Sequence, residues 1–347
     1  MSPAAIAERA TVERRDAGPA RSGTRRVPAE PPDRADDART TAKALGRELG
    51  ALVDDVDGFA EALERAFDTL SDPGYRAGLL RVAPGVEGAV GVRTPLLAAL
   101  ITGLRPSLRS ATASEALWLA ERLSRSPVFE TRQVAIALLR HSLPDDPERT
   151  WQLVRRLGRG ATEWISVDSL GIVVAEGILR EPYRWSEIEQ LVFAESAWER
   201  RLAASTVAEL RSTARDLAAR RVISSPLTPI EVRRGLNVVG SLIGDADPNV
   251  QKALSWALRE LSRVDLEQVT AFVTAEAERA AYQRDGNRAW VLRDTLAKLD
   301  AANARTIRAR LEGLRRTLHA TSTSSASGIA ARFGRLPDPR TLPEPPL

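Results

Sequence analysis

Between residues 43 and 318 the chain repeats apolar positions at three- and four-residue spacing, with polar residues filling the other faces. The segments LGALVDDVDGFAEALERAFDTL, SEALWLAERL, ETRQVAIALLRHSL, ERTWQLVRRLG, SAWERRLAASTVAELRS and VQKALSWALRELSRV all carry it. That spacing returns to the same side of an α-helix and predicts a helix each time. Start signals agree. Thr228-Pro229 and Asp247-Pro248 each set a capping side chain before a proline at the first helical position, and Glu231 completes a capping box with Thr228. No alternating segment of strand type occurs.

The predicted helices also resemble one another. Glu130–Leu139, Trp198–Val207 and Asn249–Leu258 each place a polar or basic residue fourth, followed by small and aliphatic residues. Helices of this length, short turns and a faint repeat predict stacked helical pairs. The expected fold class is therefore all-α, a HEAT-like helical-repeat solenoid with disordered N- and C-terminal tails. Residues 1–42 lack periodicity and contain PAEPPDRADDART, while 319–347 run from HATSTSSASG to LPDPRTLPEPPL. Neither composition buries enough apolar surface to offset chain entropy, so both ends are read as disordered around a domain at 43–318.

Composition narrows the chemistry. Cysteine is absent and His141 and His319 are the two histidines, which removes thiolate metal sites, disulfides and thiol nucleophiles and leaves no histidine cluster. The expectation is no metal and no small-molecule cofactor. The longest apolar stretch, LLAALITGL at 96–104, is far short of a membrane span, and the polar N-terminus has no export signal. A cytoplasmic protein without a membrane partner is expected. Net charge is +4, and Lys43, Lys252 and Lys298 are the lysines among 50 basic residues. Such a surface is arginine-dominated, and guanidinium groups bind phosphate bidentately.

Three helical faces combine aromatic and ionic groups. Trp164 and Asp168 stand one turn apart in EWISVDSLG, while Val167, Leu170 and Val174 form the core-facing stripe. Lys252, Trp256 and Arg259 share a second face, and Trp198 and Arg201 a third. Taken singly, each is accounted for by a packed tryptophan beside a solvated or snorkelling charge. Their recurrence at equivalent places in a repeat is what favours a shared function.

In order, GVRTPLLAAL (91–100), FETRQVAIALL (129–139), WISVDSLG, WERRLAAS and VQKALSWALREL resemble the AlkD-like DNA alkylation repair family of HEAT-like repeat DNA glycosylases. The likeness spans about 85 to 300. It implies that Trp164, Asp168 and Trp256 are catalytic and cradle the sugar of a damaged nucleotide. It further implies DNA contacts by Arg201, Arg259, Lys252 and Trp198, and by Arg93 and Thr94 of the early element. Departures are Arg93, where the family often has an uncharged polar residue, Ile165, where it often has aspartate, and a long stretch from Arg201 to Trp256 with SSPLTP (224–229) as the extra loop.

The implied partner is duplex DNA containing alkylated bases, acted on by a monomer. The implied reaction is hydrolysis of the N-glycosidic bond of N3-alkyladenine or N7-alkylguanine. Lys252 is read as a phosphate contact rather than a nucleophile, which makes the enzyme monofunctional. Glu163, Glu176 and Glu195 are read as solvated or capping charges. Two further readings stay open: a non-catalytic HEAT-repeat binder of DNA structures, and a HEAT-type protein-interaction scaffold.

Overall fold

Side chains cap many of the helix starts in the computed structural model, which describes residues 32–86, 88–317 and 320–333. Contacts divide the chain into two units, Met1–Ala38 and Arg39–Leu347. The second unit contains everything described below, and of the first only residues 32–38 are described, as the opening of a helix.

Among the described residues there are sixteen α-helices, three short 3-10 turns and no strand. They are α1 (Pro32–Leu49), α2 (Val56–Leu70), α3 (Pro73–Val82), α4 (Thr94–Leu108), α5 (Ala113–Ser124) and α6 (Phe129–Ser142), then α7 (Pro147–Arg159), α8 (Trp164–Arg180), α9 (Trp185–Leu191), α10 (Ala197–Ala219) and α11 (Pro229–Leu242). α12 (Pro248–Leu261), α13 (Leu266–Gln283), α14 (Gly286–Thr295), α15 (Ala301–Arg310) and α16 (Ser325–Phe333) follow. The Thr228–Glu231 capping box and the Asp247 cap are both formed, so α11 and α12 begin where expected.

An all-α helical-repeat solenoid is thus the fold of this unit. α6, α8, α10, α12 and α14 pack one on the next to make an inner row, and α7, α9, α11 and α13 lie against it. Inner-row starts are evenly spaced except between α10 and α12, because α10 runs 23 residues and a loop of 220–228 follows. Arg221 turns that loop with φ of 59°. The core is continuous along the row, from Leu100 and Leu139 through Leu170, Leu202 and Leu254 to Leu292.

Ionic and polar side chains bridge each seam of the inner row. Arg140 of α6 reaches Glu176 of α8, Arg201 of α10 reaches Asp168 of α8, Arg211 of α10 reaches Glu260 of α12, and Arg259 of α12 reaches Asp294 of α14. Glu176 is neither solvated nor a cap. It is buried and held between Arg140 and Arg180, a pairing that burial of a carboxylate requires. Glu163 caps α8, and Glu195 is exposed.

Two tail segments are structured. α1 starts within the extension expected to be disordered, and Ala42 and Leu49 are buried. Residues 320–333 dock through hydroxyl and amide groups rather than apolar bulk. Thr323 N donates to Gly244 O at 2.9 Å, Ser325 Oγ to Ser241 O at 3.3 Å, and Asn287 Nδ2 to Thr321 O at 3.4 Å. A Ser/Thr-rich composition that cannot form a core can still supply such bonds, so composition alone misplaced this boundary. The rest of both tails, 1–31 and 334–347, lies outside the described residues, as does His319.

α1 meets α4 at a glycine crossing. A Cβ on Gly46 would stand 2.0 Å from Leu100 O, and one on Gly103 would stand 2.1 Å from Lys43 O. Gly103→Ala is therefore expected to force the helices apart and cost about 1–3 kcal/mol. The check is a lowered urea midpoint with an unchanged slope.

Candidate active site

α8 begins at Trp164 because Glu163 caps it, accepting from Ile165 N at 2.5 Å and Ser166 N at 2.9 Å. Val167, Leu170 and Val174 point into the core, as the stripe predicts. Asp168 is left on the side facing α10. Gly171 lets α10 come close there, since a Cβ on it would lie 3.2 Å from Ser205 C and Thr206 N.

Asp168 is gripped from α10. Arg201 Nε donates to Oδ1 at 3.0 Å, Arg201 Nη2 to Oδ2 at 2.7 Å, and Ser205 Oγ to Oδ1 at 2.5 Å. A bidentate guanidinium–carboxylate pair of this kind fixes orientation as well as charge. A carboxylate has about four acceptor directions. The protein uses both on Oδ1 and one on Oδ2, so the last lies on Oδ2. The Asp168 side chain is 16% exposed and the Arg201 side chain 6%.

Arg201 joins three helices. Beyond Asp168, its Nη1 donates to Asn249 O in the first turn of α12 at 2.6 Å, and its guanidinium carbon lies 5.9 Å from the centroid of the Trp164 ring. All three guanidinium nitrogens are engaged within the protein. Arg201 is thus a buried organiser of the carboxylate, where a backbone contact on DNA was expected.

The two tryptophans differ in surroundings. Trp164 packs on a small cluster of Ala83, Val86, Ala89 and Phe129, so it is not turned away from packing as the stripe implied. Trp256 stands on α12, about two turns beyond Asn249, and is partly buried against the main core. Lys252 is exposed one turn before it. Arg259 pairs with Asp294, and Trp198 is partly buried on the core.

Arg93 and Thr94 open α4. Arg93 donates from Nε and Nη2 to Asp72 Oδ2 at 3.0 and 2.6 Å, and Thr94 Oγ1 lies 3.1 Å from Tyr75 Oη. The Arg93 bond is the largest influence holding the Asp72 carboxyl below its ordinary value. Glu130 fastens the loop leading to them, accepting from Val90, Gly91 and Val92 N at 3.0, 2.8 and 3.1 Å. Gly91 has φ of 97°, and a Cβ there would meet Asp72 O at 2.6 Å.

The DNA alkylation repair enzyme family model matches residues 63–299, which include α4 and the inner row from α6 to α14. The chain belongs to that family. Its function is accordingly in repair of alkylated DNA. A comparison with curated proteins finds no match. No helix among the described residues is long and apolar enough to cross a membrane.

Several residues of the site carry no motif. Ser205 sits four after Arg201, and Glu209 four after that, so helical spacing placed both on the Arg201 face. Burial pushes the Glu209 carboxyl above its ordinary value, against the lowering effect of the Ser212 hydrogen bond, and the charges of Asp168 and Glu260 push the same way. A raised folded-state value means that this stability contribution is present at low pH and is lost as pH rises from the unfolded value, about 4.3, through the folded one. Glu209→Gln is therefore expected to stabilise the protein more at pH 8 than at pH 5, read as the difference in urea midpoint.

Proposed function

We propose that the protein is a monofunctional alkylpurine DNA glycosylase, acting as a monomer on N3-alkyladenine and N7-alkylguanine in duplex DNA. The observation that carries this reading is the grip on Asp168, which leaves one acceptor direction on Oδ2. Alkylation at those ring nitrogens makes the base cationic. When the bond from C1′ to the base breaks, the base keeps the bonding pair and leaves neutral, so no general acid is needed. The sugar is left as an oxocarbenium-like cation.

Asp168 supplies negative potential where that charge develops, from a carboxylate already oriented and needing no rearrangement. Its Oδ2 orients the attacking water and takes its proton as oxygen bonds to C1′. Trp164 and Trp256 wall the sugar, and aromatic faces add attraction for positive charge. Arg201 acts through Asp168 as a positioning residue. The family resemblance implies that the lesion stays in the stack, unlike the usual extraction of a base into a pocket.

Affinity for the backbone comes from Lys252, Arg259 and Trp198, with Arg93 and Thr94 on the early element. Lys252 serves as a charge on phosphate and not as a nucleophile, so no Schiff base forms. Binding is expected to weaken as salt rises, because neutralised phosphates release counterions.

The test is release of 7-methylguanine from duplex DNA under single-turnover conditions. Wild type releases the base, and Asp168→Asn is expected to lower the rate by about a hundredfold or more while duplex binding persists. No release by wild type, or equal release by the variant, would sink the catalytic claim. Binding without release would favour the non-catalytic binder, and no duplex affinity at low salt the protein scaffold.

A further inference from the structure

The spacing that first marks α8 occurs again on the inner row. Trp290 and Asp294 on α14 stand one turn apart, as Trp164 and Asp168 do on α8. The surroundings repeat as well. Asp294 Oδ2 accepts from Ser255 Oγ at 2.7 Å and from Arg259 Nη1, both on the neighbouring α12. Asp168 likewise receives a serine and an arginine one turn apart on the neighbouring α10. Each tryptophan has a guanidinium over its ring: Arg201 over Trp164 at 5.9 Å, and Arg316 over Trp290 at 5.5 Å.

The two constellations differ in what they leave available. Arg201 spends all three nitrogens inside the protein, and its carboxylate partner is 16% exposed. Arg259 uses only Nη1, which also reaches Ser255 Oγ at 3.3 Å, so among the described residues its Nε and Nη2 have no hydrogen-bond partner. Asp294 is 48% exposed. In the first constellation the arginine serves the carboxylate. In the second the carboxylate serves the arginine.

Arg316 adds a second cation. It is exposed, lies over Trp290, and is anchored by one bond from Nη1 to Gln251 Oε1 of α12 at 2.8 Å. It comes from the segment after α15, beyond the residues 63–299 that the family model matches. Lys252 is exposed next to Gln251 on the same helix.

We propose that the seam of α12 and α14 is a phosphate-binding station for the duplex strand beside the reaction site, in which Arg259 and Arg316 contact backbone phosphate and Asp294 positions Arg259. The proposal rests on the reading of duplex DNA as the substrate. Two guanidinium groups with free nitrogens, one braced by a carboxylate and one by an aromatic face, suit the tetrahedral oxygens of phosphate. Trp290 keeps Arg316 extended over the surface instead of sampling many rotamers.

The sign of one effect separates positioning from plain electrostatics. If Asp294 contributed only its charge, removing it would tighten binding to a polyanion. As the brace of Arg259, its loss weakens binding instead. The experiment titrates an undamaged duplex by fluorescence anisotropy over a range of salt, with wild type, Asp294→Asn, Arg259→Gln, Arg316→Gln and the double variant Asp294→Asn/Arg259→Gln. Single-turnover base release at saturating protein is measured alongside.

Arg259→Gln and Arg316→Gln are each expected to reduce the salt slope by about one. Asp294→Asn weakens binding several-fold, adds nothing to Arg259→Gln in the double variant, and leaves the saturated release rate unchanged. Arg316 is exposed, so its variant tests the station even if Asp294→Asn disturbs the seam. Tighter or unchanged binding by Asp294→Asn together with an unchanged slope for Arg316→Gln would overturn the proposal. So would a slowed saturated rate with unchanged affinity. Wild type that does not bind duplex even at low salt would instead overturn the underlying reading of the substrate, and the station with it.

Discussion

The bond from the Arg201 guanidinium to the Asp168 carboxylate is the constraint on which the site depends. It is made across a helix seam, from α10 to α8, and the same guanidinium reaches α12 and covers Trp164. A buried ion pair costs desolvation, and its geometry must return that cost through directed hydrogen bonds. Here the fork geometry, the Ser205 bond and the Asn249 carbonyl satisfy nearly every direction. On Asp168 one lone-pair direction remains, on Oδ2.

The fold supplies this arrangement by repetition. Each inner helix packs on the next, so side chains in the early turns of successive helices fall beside one another. Arginine and carboxylate pairs cross the seams from α6 to α14. Most of those pairs are structural bridges. At the Asp168 seam a glycine, Gly171, brings the helices close. The α12–α14 seam, like those of Arg140 and Arg211, leaves its arginine partly unspent, and there Arg316 adds a second cation over Trp290.

Much of this was legible in the sequence, for reasons particular to each element. Three- and four-residue spacing gave the helices, and Thr228 and Asp247 gave two of their starts, because caps and amphipathic faces are local properties. The extra length between Arg201 and Trp256 was visible too, although it lies as much in the extension of α10 as in the loop. Pairing across seams was not legible. Nothing in sequence ties Arg201 to Asp168, Glu130 to the loop at 90–92, or Asp294 to Arg259, since each joins residues more than thirty apart. The role expected of Arg201 changed for that reason. The docked segment at 320–333 was missed because its anchors are hydroxyls, which composition treats as signs of disorder. Trp290 and Asp294 were in plain view at the same spacing as Trp164 and Asp168, but their meaning depended on the neighbouring helix.

The central claim is that Arg201 holds Asp168 ready for an incipient sugar cation. Single-turnover release of 7-methylguanine by Arg201→Lys, at saturating protein, tests it most directly. Lysine keeps the charge but cannot form the two-pronged bond. The expected rate is at least about tenfold below wild type, with duplex affinity nearly unchanged because the Arg201 nitrogens are engaged on Asp168 and Asn249. A wild-type rate with weakened affinity would contradict it, and would return Arg201 to the role of a phosphate contact.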